Sequence, residues 1–447
     1  MEKTINKKIL NIITLLVLIL VPFLKFFSMN LEIFGILNNY DNINPAIVLY
    51  VSVPFLLFIY IKDIIVKKRK LDIFDYLFYI LIIAGIISVI FSIDKSYAVL
   101  GKEFRHEGFL SILSYYLLFI NWKINGTKED IKKFIKLLVV IALLNSVYAL
   151  LQIYTNFNFI IRFDLDPMMA SGLCGNPNFF GSYIVTVISI ITYIFMINKK
   201  ISIKDILIII LLFISLINCQ STGPFLTYII FLFLMIIYLL VKRIFKLKKF
   251  LIVLIILILT YSGVYLINKY QIKSYRCELC DLKNELIKVN KKENSDNNNI
   301  DITNGRLEIW QNSIDIFVKY PIIGVGFDNY ELAYPNPKID NSFTFTLTTN
   351  NETKKETPIA YYVVDNAHNV YLHTLISTGI LGLVPYLILC LLTFIKGLKS
   401  KNKLETILLA GFVAYSIQAF ANISVIQVAP IYYIIMGLML SIKQEHI

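Results

Sequence analysis

Polar sequence is scarce in this chain. Only 16% of its 447 residues are charged, 57% are hydrophobic, and mean hydropathy is +0.69. Soluble domains average roughly 45–50% apolar, so a single water-soluble core is excluded. Backbone groups in lipid must pair internally, and apolar runs of roughly 18 residues or more recur along the chain. The expected class is therefore an all-α integral membrane protein. Cysteine is sparse, with five in all. Cys174, Cys219 and Cys390 lie in or beside apolar runs, where they act as small core residues. Cys277 and Cys280 form one CxxC in a polar stretch. One pair cannot close a tetrahedral zinc site; a local disulfide and solvated thiols both stay open. No internal repeat is evident, which counts against a symmetric two-half transporter. A cleavable leader is not expected either. The apolar run behind Lys3, Lys7 and Lys8 is too long for a signal-peptide core and no small-residue cleavage pattern follows it. Acidic residues are outnumbered, 30 against 43 basic, for a net charge of +13. On a soluble protein that excess suggests nucleic acid. Here it sits in short loops between spans, so the expected partner is the lipid bilayer and not nucleic acid.

Run length predicts about twelve spans, near residues 9–29, 45–65, 73–92, 108–122, 134–154, 177–197, 205–220, 224–241, 250–268, 367–395, 404–422 and 427–443. Basic clusters follow the even-numbered ones: Lys67-Lys68-Arg69-Lys70, then Lys128, Lys132 and Lys133, then Lys199 and Lys200, then Lys242 and Arg243, then Lys396 and Lys399. Positive loops stay in the cytoplasm. Both termini are therefore expected inside, in a multi-pass protein of the inner (cytoplasmic) membrane. The chain divides into spans 1–9 over 1–268, an extracytoplasmic loop over 269–365 between spans 9 and 10, and spans 10–12 over 366–447. Nucleotide sugars and ATP are cytoplasmic. Chemistry in the outer loop would need another activated donor, such as a lipid-linked one.

The outer loop has two halves. Residues 278–302 are charged and poor in apolar residues, the composition of a surface segment. From Asn304 the pattern changes. Ile309, Trp310, Ile314 and Phe317 recur at three- and four-residue steps, as in an amphipathic helix near 306–319. Such a helix suits a membrane surface. Asn304-Gly305 reads as its start and Tyr320-Pro321 as its stop.

Few residues in this setting carry chemistry. Arg306 opens the amphipathic helix and shares a face with Trp310 and Ser313; its planar fork of donors suits phosphate oxygens. In Asp365-Asn366-Ala367-His368-Asn369, Asp365 or Asn366 is the expected helix cap. His368 then falls in the first turn. Free amides and the helix dipole there favour an anion and a neutral imidazole able to act as base. His373, five residues on, lies on a different face and is read as structural. Lys102, Arg105 and His106 form a basic outer loop against the topology bias. An anionic substrate explains it; pairing with Glu103 and Glu107 is the other reading. Gly379 and Gly382 read as helix-packing positions. Asn176 and Pro177 read as cap and first residue of a helix. Asp164 and Asp166 resemble a metal-binding DxD pair on the wrong side for nucleotide sugars, and Asp41 reads as a turn residue.

Taken in order, these segments resemble the bacterial O-antigen ligase and O-antigen polymerase superfamily. The resemblance rests on Arg306 through Trp310 to Tyr320-Pro321-Ile322-Ile323-Gly324-Val325-Gly326-Phe327. It also rests on Ala367-His368-Asn369-Val370-Tyr371-Leu372 with Gly379 and Gly382, on Arg105-His106-Glu107-Gly108, and on Gly172 to Asn178. Several motifs in order are stronger than one. The resemblance implies a GT-C-like membrane glycosyltransferase without a metal or other cofactor. Such an enzyme moves a glycan from undecaprenyl diphosphate to a hydroxyl of a glycan, lipid or protein acceptor. It implies that His368 and Arg306 are catalytic and that Arg105 and Arg306 hold the diphosphate. Two positions depart from the pattern. Ser221-Thr222-Gly223 stands where the family often has Ser-Arg-Gly, and Ser377 where it often has Glu. Lys102 is the candidate substitute for the missing arginine. The alternative is a flippase or transporter of polysaccharide lipids. It requires charges along a path between spans, whereas the candidates here gather at the outer face.

Overall fold

The computed structural model describes residues 2–33, 44–67, 69–103, 105–154, 169–290, 306–334, 339–340, 360–361 and 364–442. Its helices, in chain order, begin with α1 (Glu2–Ile33), α2 (Ile47–Lys67), α3 (Ile73–Ile90), α4 (Lys95–Leu100) and α5 (Phe109–Asn125). There follow α6 (Lys128–Tyr154), α7 (Pro177–Ile197), α8 (Ile203–Asn218), α9 (Thr222–Val241) and α10 (Leu247–Asn290). The last are α11 (Arg306–Lys319), α12 (Tyr330–Ala333), α13 (Val370–Lys399), α14 (Lys403–Gln418) and α15 (Ala429–Ser441). Two short strands, β1 (Ile339–Asp340) and β2 (Ala360–Tyr361), pair antiparallel.

Among the described residues, eight helices are long and apolar enough to cross a membrane: α1, α2, α3, α6, α7, α9, α10 and α13. The other expected spans fall on α5, α8, α14 and α15, with 17, 16, 16 and 13 residues. Large apolar side chains such as Phe58, Leu144, Phe233 and Leu259 are exposed along these helices. An outward apolar surface of this extent suits lipid rather than water. Asn176 caps α7 and Pro177 is its first residue, as the sequence predicts. Cys174 and Cys219 are buried free thiols. Asp41, Asp164 and Asp166, and the side chains of Cys277 and Cys280, lie outside the described residues.

The chain forms two compact units. One comprises residues 128–304 and 401–418. Here α7 packs against α8, α9 and α14. A buried polar string runs from Thr227 Oγ1, which donates to Gln418 Oε1 at 2.7 Å, to Gln418 Nε2, which donates to Ser182 Oγ at 3.2 Å. Lys249 donates to the carbonyls of Phe195, Asn198 and Lys200 at 2.7, 2.8 and 2.9 Å. It thereby satisfies carbonyls that the end of α7 leaves free.

The other unit comprises residues 1–127, 305–400 and 419–447. Here α5 packs against α2, α3 and α15, and α13 packs against α3 and α11. Asp72 caps α3 by accepting the Phe74 and Asp75 amides, and Asp75 returns a bond to the Asp72 amide, a reciprocal capping box. Lys123, in the last turn of α5, donates to both Asp72 oxygens at 2.6 Å and to Asp75 at 3.2 Å; Arg69 pairs with Asp75 as well.

The helix α13 is broken at Gly379, whose φ is +62°. The sequence marks this glycine as a packing position, but the structure uses it to admit the loop after α11. The amides of Val325 and Gly326 donate to Ile376 and Ser377 carbonyls at 2.9 and 3.0 Å. The amides of Ile380 and Leu381 donate to Pro321 and Ile322 carbonyls at 3.0 and 3.2 Å. A side chain on Gly379 would overlap the Ile322 carbonyl. Broken helices are tolerated at membrane depth only where the freed groups find partners inside the protein, and four backbone bonds meet that need here.

Candidate active site

The basic loop between α4 and α5 is a closed turn. Gly101 has φ +82°, and a side chain on it would overlap the backbone of His106 to Gly108. The two ends of the loop therefore touch, which only glycine permits. Within it the Arg105 and His106 amides donate to the Lys102 carbonyl at 3.0 and 2.8 Å. Arg105 projects inward and its side chain is 10% exposed. Its Nε donates to Asp365 Oδ2 at 2.7 Å, and Nη2 donates to the same oxygen. Among the described residues, Nη1 is buried with no partner.

The segment after the P-x-x-G-x-G run braces this loop. Asp328 Oδ2 accepts the Lys102 amide at 2.7 Å. The Asn329 side chain accepts the Asp94 amide at 2.7 Å and donates to the Asp94 carbonyl at 3.0 Å. Lys102 pairs with Glu331 and Arg105 with Asp365, so those carboxylates come from distant segments instead of Glu103 and Glu107. Glu107 is buried, and one of its oxygens accepts from Tyr115 at 3.1 Å and Ser424 at 2.9 Å. Burial pushes its carboxyl up to about 7. Asp328 adds to the rise, while the hydroxyls and Arg105 oppose it.

His368 sits just before α13. The expected cap at Asp365 or Asn366 is not the one used. Asn366 accepts the His368 amide at 3.1 Å, and His368 adopts φ +50°. Asn369 is the cap and accepts the Tyr371 and Leu372 amides at 3.0 Å each. A left-handed residue cannot continue a helix, so the helix starts one step later and His368 precedes its first turn. Burial lowers the pKa of His368. The charges of Arg105 and Arg306 lower it further, and Asp365 opposes them. The charged imidazolium is thus disfavoured, and two arginines that are far apart in sequence lie within electrostatic reach of the ring.

Arg306 is placed by α11. One turn on, Trp310 Nε1 donates to the Ala367 carbonyl at 3.0 Å, tying α11 to the residue before His368. Ser313 shares a hydrogen bond with Tyr330 at 2.7 Å. Ile309 and Ile316 pack with Val325, Tyr330, Val364, Ala367 and Ile376. Of the apolar positions that recur along this helix, Ile309 is buried and Ile314 is 53% exposed. It lies on an outward stripe with Leu307 and Val318. Membrane-associated helices have two apolar solvents, protein and lipid, so apolar periodicity alone does not mark the inward face.

The arrangement brings Arg105 and Asp365 to the His368 segment, with Arg306 within electrostatic reach of the imidazole. Asp365, Asp328, Asn329 and Glu331 were not singled out as site residues by their sequence context, although three of them directly follow the P-x-x-G-x-G run. Among the described residues, no group of three or more histidine, cysteine or carboxylate side chains is arranged to hold a metal ion.

Residues 206–387 match the O-antigen ligase family model. The match supports the superfamily resemblance read from the motifs. It contains Arg306 and His368; Lys102 and Arg105 lie before it. The O-antigen ligase family implies a ligase activity of glycosyltransferase kind, with a lipid-linked glycan donor and a glycan acceptor. No curated protein matches the chain.

Proposed function

We propose that the protein is a GT-C-like glycosyltransferase of the inner membrane. It would move a glycan from undecaprenyl diphosphate to an acceptor hydroxyl at the outer face, as a surface-polysaccharide polymerase or ligase. In this reading the chain crosses the membrane about twelve times with both termini in the cytoplasm. The observation that carries the proposal is that α11 and the Arg105 loop both meet the segment before His368: Trp310 Nε1 donates to the Ala367 carbonyl at 3.0 Å and Arg105 Nε donates to Asp365 Oδ2 at 2.7 Å.

The acceptor oxygen attacks the anomeric carbon of the donor glycan and forms the new glycosidic bond. The bond from that carbon to the diphosphate oxygen breaks, and the diphosphate keeps the electron pair. His368 takes the acceptor proton. Arg306 and Arg105 stabilise the charge that develops on the leaving diphosphate, where fixed donors are most effective. Lys102 adds positive charge at the rim, although its ammonium is already paired with Glu331. The flippase alternative gains no support from the O-antigen ligase match.

His368→Ala and Arg306→Ala are expected to insert normally and to lower transfer by about 10²–10⁴-fold. Undecaprenyl-linked glycan should accumulate on the carrier. Unchanged product from either variant would sink the assignment. The product separates the two kinds of transfer: a lost ladder of repeat units means polymerase, and long chains stranded on the carrier mean ligase.

A further inference from the structure

Two nitrogens in this cluster are buried without hydrogen-bond partners among the described residues: Nη1 of Arg105 and Nδ1 of His373. Both residues act with Asp365: Arg105 pairs with it, and its charge reaches the His373 ring. His373 lies five residues after His368 in the outer half of α13, and its backbone amide donates to the Asn369 carbonyl at 2.8 Å. Its ring rests against that of Tyr330, with centroids 6.0 Å apart. The charged groups that reach its ring are Arg105 and Asp365, and the third titratable group is His368. Arg105 and Asp365 also act on the candidate base, His368. Sequence spacing separates the two histidines onto different helix faces. That spacing does not apply, because His368 stands outside the helix in a left-handed turn.

A buried nitrogen without a partner costs about 1–3 kcal/mol, and native proteins leave few of them. Both Asp365-directed nitrogens of Arg105 converge on a single carboxylate oxygen, so the guanidinium is held rigidly while its third nitrogen stays free. That nitrogen can only donate. The free imidazole nitrogen donates or accepts according to tautomer. A guanidinium N–H and such a nitrogen are together complementary to an oxygen, either a phosphate oxygen or a hydroxyl.

We infer that His373 is a positioning residue of the same site, and that with the free Nη1 of Arg105 it holds one oxygen of a bound substrate. This rests on the transferase reading above. The oxygen comes from the donor diphosphate or from an acceptor hydroxyl, and two measurements separate these sources.

The test uses the full-length protein in detergent as wild type, His373→Phe and His373→Gln. Phe keeps the packing on Tyr330 and removes the nitrogen; Gln restores a donor and an acceptor. One arm measures binding of farnesyl diphosphate, the other measures KM and kcat for the acceptor in the transfer assay. Weakening of farnesyl diphosphate binding by about tenfold in the Phe variant, recovered largely in Gln, assigns the oxygen to the diphosphate. Unchanged binding with an acceptor KM raised about tenfold at similar kcat assigns it to the acceptor. Both constants within about twofold of wild type in the Phe variant overturn the inference, and leave the transferase reading intact if the wild type transfers. A wild type that binds farnesyl diphosphate with dependence on His373, yet transfers no glycan, overturns the transferase reading and leaves this subsite standing.

Discussion

The helix α5 carries an ionic cluster at each end, and the two are built differently. At its C-terminal end Lys123 and Arg69 meet Asp72 and Asp75. Two cations face two carboxylates, and one carboxylate also closes a capping box. Among the described residues Arg69 leaves Nε unpartnered, but the charges balance. Before its N-terminal end, Arg105 and Arg306 act on His368 against Asp365. Asp328 and Glu107 also reach Arg105, so carboxylates are not short here, but among the described residues Arg105 and His373 both keep a buried nitrogen without a partner. Buried ions normally come paired because unpaired ones are costly. The first cluster pairs its cations with its own carboxylates, whereas the second leaves polar nitrogens on two different residues that suit a ligand oxygen.

The sharpest way to break this comparison is to remove one cation at each end. Arg105→Ala should lower transfer by about 10²–10³-fold, and Arg105→Lys should recover little because Lys lacks the planar fork. Lys123→Met should leave transfer per folded molecule near wild type. Equal losses in the two assays would erase the distinction. The next effect is on stability. Asp75→Ala leaves Lys123 and Arg69 short of a carboxylate and should cost about 3–5 kcal/mol, read as a lowered unfolding midpoint in detergent. Asp365→Asn should cost less, since Asp365 is partly exposed.

The third effect is on pH dependence. His368 works as a base only when neutral, and its pKa lies below the ordinary histidine value. Activity should therefore persist as pH falls to that ordinary value and decline only below it. The Asp365 carboxylate raises this pKa, so Asp365→Asn should move the acid limb of kcat/KM to still lower pH. A shift in the opposite direction would remove His368 from the role of base. The smallest effect belongs to Lys102. Its pair with Glu331 is part-exposed, so Lys102→Met should change stability by less than about 1 kcal/mol. A large rise in donor KM in that variant would move Lys102 from the rim into the diphosphate clamp.

Much of the helical layout is legible in the sequence because lipid imposes length on apolar runs. The stop of α11 at Tyr320-Pro321 and the cap of α7 follow from equally local signals, while Asn304 and Gly305 lie outside the described residues. Local signals fail where several residues qualify for one role. Asp365, Asn366 and Asn369 are all good caps, and backbone conformation at His368 decides among them. The bond between Arg105 and Asp365 joins positions 260 apart, beyond any periodicity. His373 reads as structural only on the assumption that the helix already includes His368. Gly379 suits close helix packing as well as helix breaking, and only the loop that enters beside it decides.

The splice at Gly379 also sets a tolerance pattern for mutation. Backbone amides and carbonyls make it, so the side chains of Ile322 and Ile323 are free to vary with little effect on where His368 stands. Proline at Val325, Gly326, Ile380 or Leu381 deletes a donor from the splice, and any side chain at Gly379 displaces its partner strand of backbone. A proline scan across 320–327 and 376–383 should therefore trace the joint far more sharply than an alanine scan. The joint is encoded less by which residues are present than by which residues are forbidden.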